Sequence, residues 1–404
     1  MGIAYVPGLV WIAALFFIGI VISLVSQKLK IPDIILLLLV GIILSIKGYT
    51  ISNFFPESYL LAFTVFALIL IVFDSASNLK ISEVLDISPI AVKLSVVFLL
   101  LNVLILTFFT QLIFFNIKDF STIYISVVFS AIMAGTSPEV LSSFTSVAKH
   151  KVLDILSFES IINDPITLIF PIIIFNVYTG ALKTNSIVNS FIQQVLLGVL
   201  FGFMIGYVAF NLLRLIYSNE DNISPLILVA LSLGTFVLAE ELNGDGILAV
   251  TTLAIMFANA PIREKFELQK FSNIFANFLR VVLFILLGLI IKLQFSLDFI
   301  INSLALFFIL LLIRFLSVEL VCAKSNFTLR EKIFMTLNIP KGITTAILLI
   351  IISTLFLAED QILNLGLIFI IYSIILGSIS IKFANSWLNI NRPKLEDIKS
   401  KPLK

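Results

Sequence analysis

Histidine and cysteine each occur once in 404 residues, at His150 and Cys322. One cysteine closes no intrachain disulfide and builds no thiolate metal centre, and one histidine removes histidine-ligated zinc from consideration. Charge is scarce as well, at 12% of residues against ~25% in soluble domains. The net charge of +2 is dispersed rather than patched, so nucleic acid is not an expected partner. What is abundant is apolar: 60% of residues are hydrophobic and mean hydropathy is +1.16. Apolar runs of ~20 residues recur from end to end, the length a helix needs to cross ~30 Å of hydrocarbon. Alternating segments of ~10 residues, the mark of a membrane β-barrel, are not visible. The composition predicts an all-α polytopic membrane protein.

Gly8 to Val25 lacks a basic leader and a small-residue cleavage motif, so it reads as a retained first span rather than a signal peptide. The apolar runs between charged or turn-rich joints predict thirteen spans, near 8–27, 32–47, 59–75, 88–115, 121–148, 152–178, 190–217, 223–240, 246–260, 271–292, 297–322, 329–356 and 361–386. On this reading nineteen Lys and Arg, from Lys28 through Lys404, fall on one side. Only Lys47, Lys118, Lys183 and Lys292 fall on the other. Because short cytoplasmic loops carry the basic excess, the N-terminus is expected outside and the C-terminus in the cytoplasm. Residues 1–388 then form the transmembrane domain, and 389–404 a short basic cytoplasmic tail lying near anionic lipid.

Ionisable residues at membrane depth are costly, by about 2.5–3.5 kcal/mol each on insertion scales, and each one raises a functional question. Asp74, Glu139, Glu159, Asp164, Glu319, Arg280, Arg314 and Lys341 are of this kind. Arg314 and Glu319 lie toward the cytoplasmic half of their span, where snorkelling explains them. Two spans are also predicted to break. In "AIMAGTSPEVLSS" Pro138 removes a backbone donor beside Gly135, Thr136 and Ser137, and in "LNIPKGITTAILL" Pro340 and Gly342 flank Lys341. Paired interruptions in the two halves of a chain point to an inverted-repeat transporter with a midplane ion site. Glu139 and Lys341, of opposite sign at the two breaks, either compensate half-helix dipoles or bind ions directly.

The sixth span carries "FESIINDPI". Helical spacing stacks Glu159 with Asn163 and Ser160 with Asp164 on one stripe, while Pro165 and Pro171 free the carbonyls of Ile161 and Thr167. Carboxylate, hydroxyl and carbonyl oxygens together suit a hard monovalent cation. The competing reading is helix-packing glue, with Glu159 paired to Arg280.

Six motifs then resemble, in order, those of the monovalent cation/proton antiporters of the electroneutral type, the sodium/proton exchangers and their prokaryotic relatives. "FESIINDP" is similar to ESxxND, "VFDSASNLKISEVL" to FEGGLxL, and "GDGILAV" to SGFLAV. "GTSPEVL" is similar to the first unwound helix, "NFLRVVLFILLGL" to the arginine-bearing helix, and "IPKGITTAILL" to PRGLAxAVL. The resemblance covers nearly the whole chain. It implies an antiporter fold with two crossing broken helices, a core bundle including spans near 59–75, 88–178 and 271–356, and a scaffold that forms a homodimer. It also implies Asp164 as the carboxylate that holds cation and proton, supported by Asn163. Ser160, Thr136 and Asp74 contribute oxygens, and Glu159 and Arg280 form a structural or pH-tuning pair. Two departures stand out: Ser137 replaces the family's Asp, with Glu139 two positions later, and Asp74 replaces a Glu.

The implied activity is exchange of sodium or lithium ions for protons across the cell membrane, one for one, with no cofactor beyond the transported ions. Desolvation favours the neutral form of a buried carboxyl, so proton and cation compete for it. A potassium/proton antiporter is the nearest alternative and a cation channel a more distant one. An intramembrane aspartyl protease, suggested superficially by "NGDGI", fails because Asp245 falls at the outer end of a span with no partner Asp at its depth.

Overall fold

The computed structural model describes residues 6–29, 32–49, 57–79, 81–115, 122–137, 150–178, 180, 187–216, 225–261, 265–290, 296–356 and 360–388, and among them every regular element is helical. In chain order these are α1 (Val6–Leu29), α2 (Asp33–Ile46), α3 (Glu57–Ala76), α4 (Ile81–Leu101), α5 (Thr107–Phe114), α6 (Ile123–Ile132), α7 (Lys151–Tyr178) and α8 (Ile187–Ile216). They continue as α9 (Leu226–Glu241), α10 (Gly246–Asn259), α11 (Lys265–Ile290), α12 (Leu297–Cys322), α13 (Leu329–Leu337), α14 (Ile343–Phe356), α15 (Asp360–Lys382) and α16 (Ala384–Trp387).

Seven of the described helices are long and apolar enough to cross a membrane, and shorter apolar helices accompany them. This is the all-α polytopic architecture that hydropathy predicted. The outer surface of the described residues carries large apolar side chains: Phe17, Leu104, Leu196 and Phe308 are each more than half exposed. An outer face of that kind suits hydrocarbon rather than water.

The helices pack in two sets. In one, α4, α5, α6, α7, α12, α13 and α15 neighbour one another; in the other, α8 packs on α10, α10 on α9, and α11 on α2. Helices α3 and α11 touch both sets: α3 packs on α10 and α11 on α2, and each also packs on α14, which joins the first set through α15 and α7. Close approach in the second set requires glycine. A Cβ on Gly202 would stand 2.3 Å from the Ala249 carbonyl oxygen, and one on Gly41 2.2 Å from that of Ile285. Small residues let helix backbones meet where lipid provides no hydrophobic drive.

In the first set polar side chains fix the register. Helix α4 passes through a π-helical turn at Asn102–Leu106 into α5. Asn102 Nδ2 donates to the Ser130 carbonyl (3.0 Å), and Gln111 bonds Ser126 (2.8 Å) and Thr122 (2.7 Å). These bonds hold α6 against α4 and α5, which matters because α6 ends inside the protein rather than at its surface.

Candidate functional site

Helix α6 stops at Ile132, as expected where Gly135, Thr136 and Ser137 precede a proline, and residues 135–137 run on without helical structure. The second interruption begins after Leu337. Helix α13 starts on a capping box between Thr328 and Glu331, residues 338–342 are non-helical, and α14 resumes at Ile343. The two gaps meet: the Ser137 amide donates to the Pro340 carbonyl at 2.8 Å.

A helix that ends in apolar surroundings leaves carbonyls that need donors. Lys341 supplies two of them, with Nζ donating to the carbonyls of Met133 (2.6 Å) and Gly135 (2.7 Å). Asn163 Nδ2 serves the carbonyl between, that of Ala134, at 2.8 Å, and lies 3.3 Å from Thr136 Oγ1. The Lys341 side chain is fully buried, its amide donates to Ser373 Oγ at 2.9 Å, and its ammonium lies 5.5 Å from the centre of the Phe98 ring. The Nζ donors thus stand at the C-terminal end of α6, where the last carbonyls lack partners within the helix. Lys341→Ala is expected to leave two buried carbonyls without a donor, at about 1–3 kcal/mol each. A lowered thermal midpoint in detergent, partly restored by Lys341→Arg, is the outcome to look for.

The site helix is α7, which continues through Pro165 and Pro171. Glu159, Ser160, Asn163 and Asp164 are all buried, Asp164 being the most accessible at 8%. Ser160 Oγ donates to the Ser157 carbonyl at 2.8 Å, leaving its lone pairs, and Thr167 Oγ1 donates to the carbonyl of Asn163 at 2.9 Å. Asn163 Oδ1 accepts no hydrogen bond among the described residues. The crossing thus brings Asn163, Thr136, Ser137 and Lys341 together, with Asp164 next along the helix. Pro138 and Glu139 lie outside the described residues.

One expected pairing is corrected. Glu159 pairs with Arg314, not Arg280: Arg314 Nη1 and Nη2 both donate to its carboxylate, the second at 2.6 Å. Arg314 is also fully buried rather than snorkelling; its Nε approaches the Met335 carbonyl at 3.4 Å and its guanidinium lies 4.9 Å from the Phe98 ring centre. The pair therefore ties α7 to α12 and to the start of the second broken segment. Glu319, by contrast, bonds Lys332 at 2.9 Å and remains 45% exposed, so partial exposure accounts for it.

Asp74 sits near the end of α3, buried, with Asn273 Nδ2 of α11 at 3.5 Å and the Arg280 charge within electrostatic reach. Around it α11 carries a polar stripe of neutral amides. Gln269 donates to the Ser77 carbonyl (2.7 Å), and Asn277 donates to Asn273 (2.9 Å). The spacing of Gln269, Asn273 and Asn277, four residues apart, was the available signal. Asp245 accepts from the Leu248 amide at 2.6 Å as the N-cap of α10, a structural use for the Gly-Asp segment.

A family model described as sodium/hydrogen exchanger, transmembrane, matches residues 12–387. A probable Na(+)/H(+) antiporter 2 of Methanocaldococcus jannaschii is 26% identical over 370 residues, covering 85% of this chain and 84% of that protein. The K(+)/H(+) antiporter NhaP of Alkalimonas amylolytica is 24% identical over 394 residues, covering 95% of this chain and 67% of its own length. Among solved structures, the sodium proton antiporter MjNhaP1 of Methanocaldococcus jannaschii superposes with a TM-score of 0.77 at 20% identity, covering 95% of this chain and 98% of that one. That likeness establishes a shared fold.

Proposed function

The chain belongs to the sodium/hydrogen exchanger family, and from that premise we propose that it exchanges sodium ions for protons across the cell membrane, with Asp164 holding either ion in turn. The observation that carries this reading is the crossing itself. Asn163, the residue before Asp164, donates into the first break, and the first break is bonded to the second. A carboxylate placed there stands beside the irregular backbone where a broken-helix transporter binds its ion.

A sodium ion bound at Asp164 would find oxygens at Thr136 and Ser160 and at backbone carbonyls freed by Pro165 and Pro171. Once sodium or a proton is bound the site is close to neutral. The bare carboxylate instead carries about 2.5–3.5 kcal/mol of extra cost at membrane depth and crosses about a hundred-fold less often. Coupling follows, because empty return is suppressed. Asn163 in place of a second acid means one fewer titrating proton, which favours electroneutral one-for-one exchange. The half containing α4–α7 and α12–α15 would move against the half containing α1, α2 and α8–α10, with α3 and α11 at the seam. The basic excess on one side supports an N-terminus outside and a C-terminus in the cytoplasm. Homodimerisation rests on the family resemblance.

Potassium is the second reading, favoured by the Alkalimonas relative. Purified protein in proteoliposomes with a trapped pH dye separates the two. Dequenching on addition of sodium or lithium but not potassium is the expected result. Dequenching with potassium alone would assign potassium/proton exchange.

A further inference from the structure

Away from the crossing lies a second feature of functional size, an apolar cleft of about 670 Å³ between the two helix sets. Its walls come from α4 and α7 on one side and α8 and α10 on the other. That volume is typical of sites that hold an organic ligand, ~300–1,000 Å³. The lining is hydrocarbon apart from Thr251 and Thr252, and both hydroxyls are spent within their own helix, donating at 2.8 Å to the carbonyls of Ile247 and Leu248. The wall thus offers water no free donor.

Shape narrows the ligand. The lining residues of α7 run from Phe158 to Ile173, which at 1.5 Å per residue is roughly 22 Å along the helix axis. The cleft is thus long and lies parallel to the spanning helices, the direction in which lipid chains lie. Its rim is continuous with the outer surface: Leu100 of α4 and Val188 of α8 line it and are 55% and 67% exposed. Its floor is deep, with Leu99 and Ile169 6% and 1% exposed.

We propose that this cleft is a binding site for a phospholipid acyl chain, which enters from the surrounding bilayer between α4 and α8. The occupant touches both helix sets, so it sits on the seam along which the two would shift.

The test is photolabelling of the reconstituted full chain in phosphatidylcholine vesicles whose acyl chains carry a diazirine near the terminal methyl, with adducts mapped by peptide mass spectrometry. Adducts on the floor residues Leu99 and Ile169 are expected, because lipid that stays outside cannot reach them. In Val195→Trp, which puts an indole across part of the cleft, those floor adducts are expected to fall severalfold, while labelling of the exposed α12 residues Phe308 and Leu312 persists. Should Val195→Trp fail to fold, the map of the unmodified chain decides alone. Adducts confined to the rim and to α12 would overturn the proposal.

Discussion

Replacing Asp164 with Asn is expected to reduce sodium-driven proton movement by about a hundred-fold or more. The amide has the shape of the carboxyl but neither its charge nor its proton. A site that binds sodium through Asn is cationic when loaded, and the loaded form then meets the barrier of about 2.5–3.5 kcal/mol that the empty form meets in the native protein. The empty form, now neutral, crosses freely. Coupling is therefore inverted as well as weakened: the variant slips without cargo and stalls with it. Dye dequenching in proteoliposomes should fall to the level of protein-free vesicles, with the folded fraction unchanged by gel filtration. Cation currents that persist in Asp164→Asn would instead indicate a channel.

Arg314→Ala is expected to lower stability by roughly 3–5 kcal/mol, because it strands a buried Glu159 carboxylate without its counter-ion. The whole α7–α12 contact should loosen, visible as a lower thermal midpoint in detergent. Arg314→Lys should recover only part, since an ammonium cannot reproduce the two parallel bonds to the carboxylate. The double replacement Glu159→Leu with Arg314→Leu should recover much of the loss, because a buried pair exchanged for hydrophobic residues leaves no charge unsatisfied. Arg280→Ala serves as the contrast. Arg280 does not partner Glu159, so its removal should disturb the surroundings of Asp74 and leave the α7–α12 pair in place.

The helical architecture was legible because the chain repeats one signal: apolar runs of spanning length separated by charged joints. The two breaks were legible for a similar reason. Pro138 with Gly135, and Pro340 with Gly342, are local backbone chemistry and need no knowledge of neighbours. That the breaks would cross followed from the transporter pattern and not from either segment alone; the bond from the Ser137 amide to the Pro340 carbonyl that joins them depends on the folded backbone and was not legible. The partner of Glu159 was not legible, because it depends on how α12 is rotated against α7. Depth arithmetic could have flagged Arg314, however. It stands eight residues before Cys322, where α12 ends, or about 12 Å along the axis, which is far for a snorkelling side chain. The stripe of Gln269, Asn273 and Asn277 was not legible for a different reason: neutral amides carry no charge that marks them as costly at membrane depth. Their meaning comes from α3, which places Asp74 and the Ser77 carbonyl opposite them.

The central claim is that sodium and the proton occupy Asp164 in alternation, and it can be tested without transport. Purified protein in weakly buffered detergent solution is titrated with sodium chloride while a pH indicator counts the protons released. Release of about one proton per bound sodium ion near neutral pH, abolished in Asp164→Asn, is the result expected of a carboxyl that must lose its proton to take up a cation. Sodium binding with no proton release, or release of the same size in Asp164→Asn, would contradict it.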